Sequence, residues 1–211
     1  MQTASPILKR WPCALLVALV LLVWGQSLSF QFVWDDQFFI QDLKSIRSFA
    51  SVPEMFYSLD AQSSYPEGFV LFRPLRTLHY AVLFALGGGG AAKPWLFHLA
   101  NLFWHALATV LLYQVLILLF CNNSEDEEEN RTARLVALLG AAAFAVHPVV
   151  SEVVCWAKSL DDLMATVFVL GSCYALLRWL FTQRNPRFLS RSSAFHSSPG
   201  GRNVLYSRSF D

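Results

Sequence analysis

Charge is what this sequence has least of. Lys, Arg, Asp and Glu make up 15% of its 211 residues, where a soluble domain carries about 25%. Neither Trp11 to Trp34 nor Pro94 to Cys121 contains any of the four. The formal net charge is +1 and no basic stripe runs along the chain, which excludes a nucleic-acid partner. Cysteine is sparse too: Cys13, Cys121, Cys155 and Cys173 stand among apolar residues with no C-x-x-C spacing. That pattern supports neither a zinc site nor a disulfide framework, and it predicts buried thiols. Gly87 to Gly90 lacks the flanking strand and the Lys-Ser/Thr pair of a phosphate loop, so it reads as a connector. No internal repeat is present.

What is abundant is apolar and aromatic: 55% apolar residues, a mean hydropathy of +0.42, 18 Phe and 7 Trp. This is a membrane composition with the aromatics of interfacial belts. About 20 residues cross the hydrocarbon core, and four runs read as spans, at 11–31, 94–121, 135–152 and 163–181. A cleavable signal peptide rivals the first span, although Ser27-Leu28-Ser29 is a poor cleavage match. Residues 32–93 make a large external loop, broken by Pro53, Pro66 and Gly68. Within it, Leu75 to Leu86 is apolar but too short to cross, and is expected to lie in the interface as a helix. The expected fold class is an all-α membrane protein of about four transmembrane helices, its large first external loop carrying an interfacial helix. Residues 1–10 are expected to be a cytoplasmic N-terminus and 11–181 the multi-spanning domain. Residues 182–211, rich in Ser and Arg, are expected to be a disordered cytoplasmic tail.

With four alternating spans, Lys9, Arg10, Arg131, Arg134 and Arg178 share one side with the basic residues of the tail. The positive-inside rule makes that side cytoplasmic, although Lys44, Arg47, Arg73, Arg76, Lys93 and Lys158 fall opposite. The glycosylation sequons Asn122-Asn123-Ser124 and Asn130-Arg131-Thr132 then face the cytoplasm and stay unmodified.

The opposite ends of the spans gather polar residues from separate stretches: Asp35-Asp36, Arg73, His98, His147, Glu152, Lys158 and Asp161-Asp162. Ionisable groups at membrane depth are costly and usually face a cavity or a bundle interior. Adjacent carboxylates repel, which suits a general base that also holds a divalent cation, Mg or Mn, through Asp35 and Asp36. The competing reading is a solvated helix end. His98, Asn101 and His105 lie at i, i+3 and i+7 on one helix face, where polar residues most often join helices. Of the three, His98 is nearest the outer surface and the candidate for the site. Lys158 with Asp161 or Asp162 reads as a local ion pair capping the last span. Arg73 could grip phosphate through its fork or meet lipid headgroups without specificity.

In their order, Phe32-Val33-Trp34-Asp35-Asp36, Phe72-Arg73-Pro74-Leu75, Phe97-His98-Leu99-Ala100-Asn101 with His105, and Phe144 to Glu152 with Trp156 and Asp162 resemble the front of multi-spanning GT-C glycosyltransferases. The group most similar is the transmembrane and tetratricopeptide-repeat O-mannosyltransferases. The resemblance implies transfer of a sugar, mannose in this group, from a polyprenyl- or dolichyl-phosphate donor to a protein hydroxyl. It implies inversion at the anomeric carbon, on the lumenal face of the endoplasmic reticulum or the periplasmic face of a bacterial membrane. It makes Asp35 the base with Asp36 beside it and Glu152 in the catalytic set. Arg73, His98, His147, Lys158 and Asp162 then serve substrate binding. Lys158-Ser159 departs from the Gly-Arg of the family pattern. Members have more spans than four and a repeat domain after them, so a truncated or inactive fragment is one expectation. A non-catalytic four-span scaffold is the alternative. A transporter is disfavoured, because it would place acids near the bilayer midplane and these lie at span ends.

Overall fold

The computed structural model describes residues 11–65, 71–120 and 127–184, and helices supply all the regular structure among them. The expectations for residues 1–10 and 185–211 lie outside the described residues. Helix α1, Trp11–Trp24, continues as a 3₁₀ turn to Ser29. A one-turn α2, Val52–Met55, and α3, Pro74–Leu86, occupy the first loop. Then come α4, Pro94–Phe120, and α5, Glu127–Val146, the short α6, Ser151–Cys155, and finally α7, Leu160–Arg184. Among the described residues, three helical segments are long and apolar enough to cross a membrane: Trp11–Ser29, Pro94–Phe120 and Ala157–Gln183. A fourth arises if α5 and the segment Pro148–Cys155, bent by 46°, count as one span.

The bend has a chemical origin. Pro148 has no N–H for the carbonyl one turn before it, and α5 stops at Val146. The next amide, Val149 N–H, turns away to His147 Nδ1 at 3.2 Å. The Ala145 carbonyl is thereby orphaned inside the bundle. Trp24 Nε1 of α1 donates to it at 2.7 Å and His105 Nε2 of α4 at 3.0 Å. One broken helix end thus fixes three helices. At its other end α5 begins well before Leu135, because Glu127, Glu128 and Glu129 suit the positive end of the helix dipole.

α5 packs through a stripe of small residues. Ala137, Ala141 and Ala145 recur at every fourth position and are fully buried, letting α1 and α4 approach closely. A Cβ at Gly140 would meet Leu116 Cδ1 at 3.3 Å. On the outside of the helices Leu22, Phe103, Leu139 and Val169 are well exposed, as lipid-facing positions would be. Thr166 and Ser172 bond back to the carbonyls four residues earlier, satisfying their hydroxyls within α7. The described residues from Ala175 to Arg184 belong to a separate unit, in which Thr182 does the same with Arg178.

The first loop folds into a cap of its own. Phe39, Ile40, Leu43 and Ile46 have helical spacing and bury with Met55 and Ala61. They pack on Tyr80, Ala81 and Phe84 of α3 and on Phe97 of α4. Helix α3 turns this face inward and leaves Leu75, Val82 and Leu86 exposed. It ends in a tight connector in which Gly88 and Gly89 take φ values of 96° and 72°, a region costly for other residues.

Candidate functional site

The turn between α6 and α7 is gripped from three directions. α6 is too short to satisfy its own terminal carbonyls. Asn101 of α4, fully buried, donates Nδ2 to the Trp156 carbonyl at 2.8 Å and lies 3.3 Å from that of Val154. Tyr80 of α3 donates its hydroxyl to the Lys158 carbonyl at 2.8 Å. On the other side of the same residue, Lys158 N–H donates to Asp36 Oδ1 at 2.9 Å.

Asp36 is completely buried, and its second oxygen accepts Val33 N–H at 2.9 Å. This bond closes a turn that holds Trp34 at a φ of 47°. A left-handed backbone at a bulky residue costs about 1–3 kcal/mol, and Trp34 is left 85% exposed beside the acids. Burial pushes the Asp36 carboxyl up to about 6, and the charge of Asp35 raises it as well. The N–H groups of Val33 and Lys158 and the Lys158 ammonium pull the other way.

Asp35 points to the open side. Its Oδ2 sits 2.9 Å from Lys158 Nζ, with the two side chains 33% and 25% exposed. The ammonium lies 4.7 Å from the centre of the Trp156 ring and 5.3 Å from that of Phe39. A pair this exposed contributes at most about 1 kcal/mol, so it sets local charge more than stability.

Phe39 also links this cluster to a second one. The guanidinium of Arg76 on α3, buried, lies 4.6 Å from the centre of the Phe39 ring and 5.9 Å from that of Tyr80. Burial lowers the Arg76 guanidinium and pushes the Tyr80 hydroxyl up. Arg73, just ahead of Pro74 at the start of α3, forms an ion pair with Asp161 in the first turn of α7. Gln62 ties these residues together. Its Oε1 accepts Thr77 Oγ1 at 2.7 Å and Arg73 N–H at 3.3 Å, and its Nε2 donates to the Met55 carbonyl at 2.6 Å. Between the starts of α3 and α7 opens an apolar groove of about 260 Å³, walled by Pro74, Leu75, Met164, Ala165 and Phe168. Arg73, Arg76 and Asp161 complete its lining, but almost none of its surface is polar. A separate polar cleft of about 320 Å³ in the cap is lined by Asp42, Lys44, Glu54 and Asp60.

The structure therefore gathers Asp35, Asp36 and Lys158, with Arg73 lining the neighbouring groove. Lys158 does not pair with Asp161 or Asp162. Its peptide is clamped against Asp36, which turns the side chain to Asp35, and Asp161 meets Arg73 instead. Glu152 is exposed in the first turn of α6, with its carbonyl accepting Trp156 N–H, one step from the ring under Lys158. His147 is exposed and caps the turn after α5. Asp162 is exposed in the first turn of α7. His98 is buried, its ring edge-on to Phe30 at 6.2 Å, within the protein and not at a surface. Gln62, Tyr80 and Arg76 carry no local pattern that marks them, since only the packed cap gives them their partners.

A divalent cation does not fit the donors as they stand. Both Asp36 oxygens are taken by backbone N–H groups, and one Asp35 oxygen by the Lys158 ammonium. Among the described residues no third His, Cys, Asp or Glu joins them. Mg or Mn would seek about six oxygen ligands, and Lys158 already supplies positive charge at that place.

No protein-family model and no solved structure matches the chain. It is 28% identical over 167 residues to Protein O-mannosyl-transferase TMTC4 of Mus musculus, covering 74% of this chain and 22% of that protein. With Protein O-mannosyl-transferase TMTC3 of Homo sapiens the identity is 25% over 166 residues, or 78% of this chain and 16% of that protein. With Protein O-mannosyl-transferase Tmtc2 of Drosophila melanogaster it is 35% over 108 residues, 51% and 10% respectively. The chain spans roughly a fifth of the length of the first two relatives. Over most of its own length, it is similar to a limited part of the TMTC-type O-mannosyltransferases.

Proposed function

We propose that the chain carries the acceptor-activating end of a GT-C-type glycosyltransferase, which moves a mannosyl group from a polyprenyl-phosphate donor to a protein hydroxyl. The observation that supports this most directly is Asp35, part-exposed and paired with Lys158 on the turn that leads into α7. The names of the relatives support the sugar and the acceptor class. The active face is that of the first loop, lumenal in an endoplasmic reticulum membrane or periplasmic in a bacterial one.

In this reading the acceptor oxygen attacks the anomeric carbon from the face opposite the phosphate. Its proton passes to the Asp35 carboxylate as the new C–O bond forms. The old C–O bond breaks towards the phosphate oxygen, which leaves with the electron pair on the lipid. Attack from the far face inverts the anomeric centre. Asp36 keeps the turn that presents Asp35, and Lys158 balances its charge before the proton arrives. No step is routed through a metal, because the donors do not form a site for one. Glu152, His147 and Asp162 are then the outer rim that meets the acceptor.

The deciding experiment presents radiolabelled polyprenyl-phosphate mannose and an acceptor peptide to the 211-residue chain and to a longer form of the protein. Transfer that depends on Asp35 supports the reading. Transfer by neither form supports a non-catalytic scaffold. Transfer by the longer form alone limits this chain to one part of the active unit.

A further inference from the structure

We propose that Tyr80 of α3 is a positioning residue, its hydroxyl setting the direction in which Lys158 presents its ammonium to Asp35. This rests on the base role given to Asp35 above and assigns the group that keeps that base charge-balanced.

The backbone of Lys158 is held on both sides of its Cα. Ahead of the Cα, its N–H donates to Asp36 Oδ1 at 2.9 Å. Beyond it, its carbonyl accepts the Tyr80 hydroxyl at 2.8 Å. A residue has two soft backbone dihedrals, and each turns one of these two peptide planes. Pinning both planes fixes the Cα–Cβ direction of Lys158, and that direction carries the ammonium to 2.9 Å from Asp35 Oδ2. The side chain is 25% exposed, and a lysine with that freedom would otherwise spread over many rotamers. The rings of Phe39 and Trp156 flank the ammonium without fixing the backbone it grows from.

The hydroxyl itself is not needed for packing. Tyr80 is fully buried, its ring 5.6 Å from that of Phe97 and 5.9 Å from the Arg76 guanidinium. A phenylalanine ring would make the same contacts. Burying a hydroxyl is costly unless it is bonded, and its other acceptor, the Ala157 carbonyl, lies 3.5 Å away. The bond to Lys158 therefore accounts for the phenol, and it reaches across 78 residues of sequence to the turn before α7.

The test reads Lys158 directly, by trace acylation of the 211-residue chain in detergent with acetic anhydride and mass spectrometry of each lysine. Lys44 and Lys93, both exposed, are the internal references. In the wild type Lys158 should acylate more slowly than either, because Asp35 engages its ammonium, and Asp35→Asn should remove that protection. Tyr80→Phe keeps the ring and deletes only the hydroxyl. It should raise Lys158 labelling by about two- to tenfold, the factor that one intramolecular hydrogen bond holds, with Lys44 and Lys93 unchanged. Ile46→Val trims one methyl group from the core of the cap and lowers the thermal midpoint by a packing loss alone. Its Lys158 labelling should stay at the wild-type level. In whichever form of the protein shows transfer, Tyr80→Phe should lower kcat by a factor like that of the labelling and leave both KM values unchanged.

The proposal falls if Lys158 labels in Tyr80→Phe as it does in the wild type, or if Ile46→Val raises the labelling as much. It falls too if Tyr80→Phe cannot be obtained folded, since the hydroxyl would then serve the fold alone. Raised labelling in Tyr80→Phe with no transfer by any form would overturn the transferase reading and leave the hold of Tyr80 on Lys158 standing. Transfer by the wild type with an unchanged kcat in Tyr80→Phe would do the reverse.

Discussion

Lys158 donates its peptide N–H to the buried carboxylate of Asp36 at 2.9 Å while its ammonium pairs with Asp35. One residue at the head of the last helix therefore separates two adjacent acids by role. Asp36 is locked into the backbone, and Asp35 is left within reach of a ligand.

Asp35→Asn should abolish sugar transfer while membrane insertion and thermal stability stay near those of the wild type. Asn keeps the shape but cannot accept a proton as an effective base, and general-base assistance is worth roughly 10²–10⁴ in rate. The measurement is initial rate with a polyprenyl-phosphate mannose donor, in whichever form of the protein shows transfer. Wild-type rates in Asp35→Asn would remove Asp35 from the base role.

Stability should fall as pH rises from about 4 to about 6, then level off. The Asp36 carboxyl sits near 6 in the fold against 3.8 for an ordinary Asp. The folded state therefore binds the proton more tightly than the unfolded chain. That stabilisation is complete below the unfolded value and is lost as pH passes the folded one, a span worth roughly 3 kcal/mol at most. Asp36→Asn should flatten this slope. It should also cost about 1–3 kcal/mol, since an amide can accept only one of the two N–H bonds that the carboxylate takes. Thermal midpoints across pH 3.5 to 8, an interval bracketing both values, check both effects, and an unchanged slope in the variant would contradict the assignment.

Lys158→Gln should reduce transfer far more than stability. The bond to Asp36 comes from the backbone and survives the change, and the lost ion pair is exposed enough to be worth about 1 kcal/mol or less. Lys158→Pro, which deletes the N–H itself, should instead disrupt the turn. Comparing midpoints and rates for the two variants separates the side chain from the peptide.

Asn101→Ala should destabilise the chain by about 1–3 kcal/mol, because it takes the side-chain donor from the buried Val154 carbonyl and leaves the Trp156 carbonyl with the Ser159 N–H alone. His105→Ala should cost less, since Trp24 Nε1 still donates to the Ala145 carbonyl. Thermal unfolding in detergent ranks the two, and the reverse order would count against this account of the helix ends.

The proposed orientation predicts that Asp60→Cys reacts with an impermeant thiol reagent from the lumenal or periplasmic side, and that Glu127→Cys is protected there. The reversed pattern would put the Asp35 face in the cytoplasm and remove the shared outer site.

The spans were legible because crossing a membrane is a one-dimensional requirement, met by a long apolar run such as Pro94 to Phe120. The start of α5 was less so, since Glu127 to Glu129 break the apolar run yet favour a helix N-terminus. The loop before α3 read as irregular from Pro53 and its polar residues. It nonetheless buries Phe39, Ile40 and Met55, because α3 and α4 offer an apolar face to cover. Of the candidate site, the Asp35-Asp36 pair and Lys158 were visible as charges at span ends. Their pairing was not, nor was the capture of Arg73 by Asp161.

The sequence by itself determined that the chain is a helical membrane protein, that its acids lie at helix ends, and that its motifs occur in a familiar order. Apolar run length, composition and motif order are properties of the string alone. Only the tertiary structure decided which carboxylate is sealed and which is open, and which arginine meets a carboxylate and which lies buried against aromatic rings. Those outcomes depend on a left-handed turn at Trp34 and on a peptide that donates to an acid 122 residues away. They also depend on a cap that buries Arg76. Hydrogen bonds act over about 3 Å in space and have no range along the chain, so no periodicity in the sequence could announce them.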